Sequence, residues 1–391
     1  MERHFGLDWL RIGAFGLLIF YHIGMVFVPW DFHVKTAHPL EWVAIPMLAT
    51  NSWRLLLLFV VSGYASRALL MKNGLTKSGG AGAFAGSRSK RLLIPLLFGV
   101  IFVIPLQPWV EVTTKFGYTG SFWSFWLHDY FRFGTFAGII LPTWQHLWFV
   151  VYLWVYTMAL AIGTALFRRL PLQAIFDRAF GGVTVWLIPV AWLVLVAAWL
   201  FPGARETHAL FDDWVAHAQY VPGFLFGFAL AGSRPAFAAI GRWWRPAAVV
   251  AVTSYAVVAT IEWHWPGSAM PWPYGQAFSW ARAVQGWSTI VALIGFADTH
   301  WNRDHPWRAM LTEAVFPFYI IHQTVIVGVE FLLLPYGLPA SAEFAILVAT
   351  TVAGCWAFYL IGREVGWLRP LIGLRARVAR PVSSDTRPAI V

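Results

Sequence analysis

Cysteine and charge are both scarce in this sequence. Its 391 residues include one cysteine, Cys355, and only 12% are charged. A single cysteine excludes a disulfide framework within the chain and any metal cluster built on several thiolates. A soluble chain of this length would carry about twice that charged fraction and would divide into two or three domains. The scarcity of charge therefore excludes an ordinary soluble protein.

Apolar residues dominate instead. They make up 59% of the chain, and the mean hydropathy is +0.63, which is typical of polytopic membrane proteins. The net charge of +10 lies in short segments between apolar runs, so it indicates topology rather than nucleic-acid binding. The first apolar run is too long for a signal peptide core, and we expect no removable targeting segment. We predict an all-α, polytopic transmembrane bundle in a lipid bilayer, with no nucleic-acid partner.

Apolar windows of about 20 residues predict ten spans. The sixth is short and Gly-rich, so its bounds are the least defined. We expect residues 1–368 to form one membrane domain and residues 369–391 to form a basic, disordered cytoplasmic tail. The predicted spans are 9–30, 44–70, 92–109, 143–167, 183–201, 217–232, 247–263, 281–297, 310–334 and 343–368.

Lysine and arginine orient these spans. The connection between the second and third spans contains five basic residues and no acidic one: Lys72, Lys77, Arg88, Lys90 and Arg91. Basic connections alternate with poorly charged ones along the chain, which predicts that both termini are cytoplasmic. Within the basic connection, the Gly-rich residues 78–87 predict a flexible loop and match no phosphate-binding pattern.

Aromatic residues are frequent in the predicted outer segments, near 31–43, 110–142 and 264–280. Tryptophan and tyrosine are common where a membrane protein meets the water interface, so an interfacial belt explains them. They also offer flat apolar faces on which sugar rings stack. Both explanations stay open.

Two ionisable residues lie in the first predicted span, GLDWLRIGAFGLLIFYHIGMVFVPW. Arg11 is near its start and His22 is well inside. Eleven residues make almost three helical turns, so the two side chains project from nearly the same face, about 16 Å apart along the axis. A guanidinium suits a phosphate or carboxylate arriving from the cytoplasm, and an imidazole at depth suits proton transfer. The spacing indicates an anchor and a reaction centre for one extended substrate.

Each of these residues also has a structural explanation. Arg11 can determine topology, with its guanidinium reaching the lipid headgroups, and His22 can hydrogen-bond another helix. A charged group at membrane depth is costly unless something there uses it. The shared helix face is the observation that favours a functional pair.

Several stretches, taken in order over residues 5–365, resemble acyltransferase family 3 of membrane proteins. LDWLR, followed by ten residues and His22, matches an Arg-X10-His signature. SKRLLIPLLFGV resembles the basic entry to the third helix, and QHLWFVVYLWVY and FPFYIIHQTVIV resemble later helices. WRLLLLFVVSGYASRALL has Tyr64 where phenylalanine is usual, but resembles the second helix at Arg54, Phe59, Ser62 and Gly63.

The resemblance implies an integral-membrane O-acyltransferase. The acyl group would come from cytoplasmic acyl-CoA, a co-substrate, with no permanently bound cofactor. The acceptor would be a hydroxyl of an extracytoplasmic carbohydrate. The HLWF and HQTV stretches suggest the branch of periplasmic glucan succinyltransferases, so succinyl-CoA and acetyl-CoA are both candidate donors. The expected location is the bacterial inner membrane.

The residues that match the family take expected roles. His22 is the candidate base, and Arg11 would hold part of the CoA. Arg54 lies too deep to reach the headgroups and would polarise the thioester carbonyl or orient an acyl carboxylate. The basic connection supplies three further candidates for acyl-CoA binding: Arg88, Lys90 and Arg91. Membrane topology alone also explains the charge of this connection.

Other candidates are assigned by position. Ser62 is grouped with the acyl-CoA-binding residues, although with Gly63 it also permits close helix approach, and no neighbouring base supports it as a nucleophile. Candidates for the acceptor side or another polar site are His146, Trp148, Glu262 and His322. The histidines can equally be interhelical hydrogen-bond residues. No spacing of histidine and acidic residues predicts a metal site.

Two other functions stay open on the sequence alone. A transporter or flippase for a lipid-linked sugar or acylated metabolite would also have ten spans and buried polar residues, although the halves show no convincing repeat. A non-catalytic membrane partner of a polysaccharide export system is the second. The acyl group, the glycan, a direct or two-step transfer, and a homo-oligomeric state are undetermined by the sequence.

Overall fold

The structure is a computed structural model that describes residues 4–72, 80–167, 169–267 and 270–376. It is 77% helical, and the predicted all-α class is confirmed. One short antiparallel hairpin, β1 (Gly134–Phe136) and β2 (Ile139–Leu141), pairs Thr135 with Ile140.

The α-helices of the described residues follow in chain order. They are α1 (Phe5–Phe27), α2 (Ala44–Asn51), α3 (Arg54–Lys72), α4 (Gly80–Phe98), α5 (Leu106–Phe116), α6 (Phe122–Ser124), α7 (Trp148–Leu166), α8 (Leu172–Phe180), α9 (Thr184–Leu195), α10 (Trp214–Leu230), α11 (Arg234–His264), α12 (Trp272–His300), α13 (Pro306–Leu333), α14 (Ala340–Glu364) and α15 (Leu368–Leu371). Tighter 3-10 turns occur at Glu41–Val43, Gln145–Leu147 and Leu334–Tyr336, and wider π-helical turns at Gly99–Val103, Phe125–Asp129 and Val196–Leu200.

Seven helical stretches of the described residues are long and apolar enough to cross a membrane: Phe5–Phe27, Glu41–Met71, Gly80–Phe116, Gln145–Leu166, Arg234–His264, Pro306–Tyr336 and Ala340–Glu364. An eighth is possible if Leu172–Phe180 and Thr184–Leu200, which meet at 94°, form one broken span. The remaining predicted spans, 217–232 and 281–297, overlap α10 and α12. The chain is therefore multi-pass, while the count of ten and the side of each terminus stay predictions.

The Gly-rich stretch is where the sequence prediction of a loop is wrong. Residues 80–91 form the first turns of α4, and residues 73–79 lie outside the described residues. Phe84 and Arg88 are buried there, because α4 packs against α7. Burial of an apolar face in tertiary packing outweighs the weak helix propensity of glycine.

Glycine brings α3 and α10 unusually close together. A β-carbon at Gly63 would lie 1.9 Å from the carbonyl oxygen of Phe224, and one at Gly227 would lie 1.8 Å from that of Val60. No larger side chain fits at either position. The expectation that small residues permit close helix approach is therefore confirmed for Gly63.

Helix α1 occupies the middle of the bundle, where it packs against α3, α12, α13 and α14. This position gives its polar side chains neighbours from several helices. At the other end of the chain, α15 packs on α4 and α14, and Ile372 and Leu374 are buried. The predicted tail thus begins with packed residues, and its part from 377 to 391 lies outside the described residues.

Candidate active site

Two histidines from distant parts of the chain meet in the bundle. His22 Nδ1 on α1 lies 2.8 Å from His322 Nε2 on α13. His322 Nδ1 lies 2.8 Å from the carbonyl oxygen of Tyr319. A carbonyl oxygen only accepts hydrogen bonds, so His322 Nδ1 carries its proton, and in the neutral ring its Nε2 accepts from His22 Nδ1–H. The network therefore leaves His22 Nε2 with an unprotonated lone pair.

A large cavity adjoins this pair. Its volume is about 1900 Å³, and His22 is part of its wall while His322 is fully buried behind. The rest of the wall includes the connections after α1, before α7, between α9 and α10, and between α11 and α12. These are connections that the charge distribution places on the outer side. His22 thus lies at the inner limit of a space that can admit a substrate.

Arg54 lies in the same cavity wall, which agrees with its depth in the second predicted span. Its side chain is only 2% exposed, Nη1 donates to Thr50 Oγ1 over 3.1 Å, and the guanidinium lies 3.8 Å from the ring centre of Tyr21. Arg54 Nε has no hydrogen-bond partner among the described residues. An arginine buried in this way has donors left for a ligand in the cavity.

His146 lies next to the histidine pair and also contacts the cavity. Its ring centre is 5.0 Å from that of His322, and its Nε2 donates to the carbonyl oxygens of Tyr319 and Ile320 over 3.1 Å. Its Nδ1 is then the acceptor for the amide of Gln107, at 3.4 Å. Both ring nitrogens are occupied, so His146 is a supporting residue rather than a second base.

Trp148 and Glu262 lie on the far walls of the cavity. The Trp148 ring stacks on His208 with the ring centres 4.2 Å apart. Glu262 Oε1 accepts a hydrogen bond from the Gly267 N–H over 3.1 Å. Of the four residues predicted for the acceptor side or another polar site, Trp148, Glu262 and His146 therefore line the cavity, whereas His322 does not.

The residues predicted for acyl-CoA binding lie elsewhere. Arg11 donates to the carbonyl oxygen of Thr312 over 3.3 Å, and neither its Nε nor that of buried Arg88 has a partner among the described residues. Arg11, Arg88 and Arg91 are near enough for their charges to interact, and Lys90 is exposed. Ser62 is half-buried on α3 and its carbonyl oxygen accepts from Ser66. None of these side chains belongs to the cavity wall.

Phe15 separates the two sites. It lies on the face of α1 that carries Arg11 and His22, and it is buried. Its ring packs edge-on against Phe149 and Tyr319, with ring centres 6.4 Å and 5.5 Å apart. The continuous tunnel from Arg11 to His22 that the shared face suggests is closed by these rings in this structure.

The cavity wall also contains polar residues that the sequence analysis did not single out. Arg282 on α12 donates to Asn51, whose Nδ2 donates to the hydroxyl of Tyr21 over 2.6 Å. Gln323 donates to His33 Nε2 over 2.9 Å, and His33 Nδ1 donates to Glu111 over 2.6 Å. The depth signal that identified Arg54 does not identify Arg282, because Arg282 lies at the edge of the predicted span 281–297, where an arginine can reach the lipid headgroups. Among the described residues, no group of three or more histidine, cysteine or acidic side chains could hold a metal ion.

Comparison with known proteins identifies the family of this chain. A family model described as "Acyltransferase domain", that of acyltransferase family 3, matches residues 4–360. Similar curated proteins include glucans biosynthesis protein C from Shigella boydii serotype 4, Escherichia coli strain SMS-3-5 and Shigella dysenteriae serotype 1. Each is 28% identical over 156 residues, which are 40% of this chain and 37% of the relative.

The matched segment thus spans well under half of the length of these relatives. No solved structure matches the chain. The resemblance to the family, seen in the motifs around His22 and Arg54, is confirmed by the match over nearly the whole chain. The chain belongs to acyltransferase family 3 and is a multi-pass membrane protein.

Proposed function

We propose that this enzyme moves a succinyl or acetyl group from cytoplasmic acyl-CoA to a hydroxyl of an extracytoplasmic glucan or other polysaccharide. The observation that carries the proposal is that His22, whose Nδ1 is engaged by His322 and whose Nε2 is free, lines a cavity large enough for a sugar. The name of the similar proteins, glucans biosynthesis protein C, supports a glucan as acceptor. The bacterial inner membrane is the location that fits such a donor and acceptor.

His22 acts as the general base in this proposal. Its Nε2 takes the proton of the acceptor hydroxyl as that oxygen attacks the thioester carbonyl, so a C–O bond forms and the C–S bond breaks. The proton then passes from His22 to the leaving thiolate of CoA. His322 supports the step, because its Nε2 accepts from His22 Nδ1 at 2.8 Å and stabilises the imidazolium that forms.

Arg54 contributes positive charge next to the base. In one role its guanidinium polarises the thioester carbonyl and stabilises the oxyanion that develops there. In the other it orients a carboxylate at the end of the acyl group. Its position over Tyr21 fixes the guanidinium before substrate arrives, and pre-organised donors of this kind lower the barrier most.

The donor would enter from the opposite end of α1. The unpartnered Nε groups of Arg11 and Arg88 suit the phosphates of CoA, with exposed Lys90 and Arg91 at the mouth. To reach His22, the acyl arm must pass Phe15, so the proposal requires the rings of Phe15, Phe149 and Tyr319 to separate. Closure of this contact in the resting enzyme would keep water away from the thioester.

The test uses purified protein in nanodiscs, with succinyl-CoA and acetyl-CoA offered separately beside a β-glucan. Release of free CoA and the mass of the acceptor are followed for wild type and His22→Ala. We expect one donor to be consumed and the glucan to gain the matching mass. Loss of a general base lowers kcat by about 10²–10⁴-fold, so His22→Ala should be nearly inactive.

The matched control is His300→Ala, which removes an exposed histidine at the end of α12. It should transfer acyl groups at the wild-type rate. Failure of wild type to consume either donor with several acceptors would contradict the proposed function and favour transport. Full activity of His22→Ala would remove His22 from the reaction.

A further inference from the structure

Two arginines face the cavity beside His22. Arg54 comes from α3 and Arg282 from α12, and both belong to the cavity wall. Arg54 is 2% exposed and Arg282 is half-buried. The sequence analysis assigns no role to Arg282, and the proposed reaction uses only Arg54.

Two neutral side chains, Asn51 and Tyr21, contact the guanidinium groups of both arginines. Arg282 Nη2 donates to Asn51 Oδ1, and Asn51 Nδ2 donates to the Tyr21 hydroxyl over 2.6 Å. The guanidinium of Arg54 lies 3.8 Å from the centre of the same tyrosine ring. Tyr21 precedes His22 on α1, and their ring centres are 6.1 Å apart. The two cations are thus fixed to one support next to the base.

Neither of these two arginines pairs directly with a carboxylate of the described residues, and Glu206 and Glu262 act on Arg282 only at longer range. Among the described residues, neither Arg54 nor Arg282 has an ion pair within 4.0 Å. Five acids belong to the cavity wall: Asp31, Glu111, Glu206, Asp212 and Glu262. Asp31 and Glu111 pair with Lys115, Glu206 accepts from the Tyr220 hydroxyl over 2.7 Å, and Glu262 accepts from the Gly267 N–H. The Nε atoms of both arginines are buried without a partner. Two guanidinium groups without a direct ion pair are costly in a membrane protein unless an anion joins them.

We propose that Arg54 and Arg282 form a binding subsite for an oxyanion, a carboxylate or a phosphate, beside His22. The planar guanidinium fork matches both groups, and a charge-assisted hydrogen bond is about twice as strong as a neutral one. The assignment of this subsite to a substrate rests on the proposed acyl transfer. The anion is then either the free carboxylate of a dicarboxylic acyl group on the donor or an anionic substituent of the acceptor.

Direct binding tests the subsite without any acyl transfer. Isothermal titration of the nanodisc-embedded protein uses succinate, its neutral analogue succinamide, and inorganic phosphate. Wild type should bind succinate or phosphate and not succinamide. Arg282→Met should bind the anion at least about tenfold more weakly, because a charged hydrogen bond contributes about 1.5–3 kcal/mol. Arg282→Lys, which keeps the charge without the fork, should fall between the two.

Arg242→Met is the matched control, since Arg242 is exposed on α11 and outside the cavity wall. It should bind the anion as wild type does. Size-exclusion profiles and thermal unfolding verify that each variant is folded. The proposal is overturned if wild type shows no saturable binding of succinate or phosphate up to about 10 mM, or if Arg282→Met binds them equally well.

Kinetics then distinguish the two sources of the anion. Butyryl-CoA has the chain length of succinyl-CoA without the free carboxylate. If the donor supplies the anion, Arg282→Met lowers kcat/KM for succinyl-CoA by about 10²-fold and for butyryl-CoA by less than about threefold. If the acceptor supplies the anion, Arg282→Met instead lowers kcat/KM selectively for a phosphorylated glucan and leaves it nearly unchanged for a neutral glucan.

Equal losses with both donors and both acceptors would contradict a role in recognising substrate. If wild type transfers no acyl group from any donor, the proposed function fails, while the titrations still decide whether the anion subsite exists.

Discussion

The two ends of α1 expose basic side chains to opposite surroundings. Towards its C-terminal end, His22 lines a cavity of about 1900 Å³ whose wall includes several polar side chains and long connections. Towards its N-terminal end, Arg11 donates to the carbonyl oxygen of Thr312, lies near Arg88 and does not belong to the wall of this cavity. The rings around Phe15 close the space between the two ends.

This difference suggests how one helix can serve two substrates on two sides of a membrane. A wide cavity with polar side chains in its wall suits a bulky sugar, whereas a cluster of basic side chains suits the phosphates of a long, thin donor. The base lies on the cavity side of the aromatic contact. In this account only the acyl arm of the donor passes the contact, and the sugar never has to enter the hydrocarbon region.

Two substitutions test whether the two ends of α1 bind different substrates. The larger effect is expected at the N-terminal end, near Arg11 and Arg88. Arg88→Ala removes a buried guanidinium with an unpartnered Nε, and we expect the KM for acyl-CoA to rise about tenfold, with kcat and the KM for the glucan nearly unchanged. Arg11→Ala should behave in the same way. Initial rates measured over a range of both substrate concentrations give these constants.

Arg242→Ala, at an exposed position of α11, should leave all three constants at their wild-type values. If Arg88→Ala instead lowered kcat as severely as His22→Ala, the two ends of α1 would not be separate sites.

The smaller effect concerns the aromatic contact. Phe15→Ala widens the space between the two ends, so water should reach the thioester more easily, and release of CoA without any glucan should rise about threefold. The matched control is Phe20→Ala on the same helix, because Phe20 is 50% exposed and faces away from this contact. Unchanged hydrolysis in Phe15→Ala would show that these rings do not guard the donor.

The local features of this chain were accessible from its sequence. Apolar windows identified the helices, and a helical period of 3.6 residues placed Arg11 and His22 on one face. The depth of Arg54 in its span indicated an internal position, and the structure places it in the cavity wall. Each of these inferences needs only the residues of one helix.

The features that depend on several helices were not accessible. His22 and His322 are 300 residues apart, and their hydrogen bond exists because α1 packs on α13. Arg282 joins the site only because α12 packs where its guanidinium can donate to Asn51 at the end of α2. The helical state of residues 80–91 follows from the burial of Phe84, which local propensity does not describe. Hydrophobic periodicity predicts which residues share one face of a helix, but it does not predict which other helices pack against that face.

The central claim is that His22 is the base and that His322 acts only through His22, by orienting its ring and stabilising the imidazolium that forms. A double-mutant cycle tests this claim most directly, with kcat measured for wild type, His22→Ala, His322→Ala and the double variant. We expect His322→Ala to lower kcat by about 10²-fold, and the double variant to be no slower than His22→Ala, since residues that act as a unit are not additive. Losses that multiply in the double variant, or full activity in His322→Ala, would contradict the account.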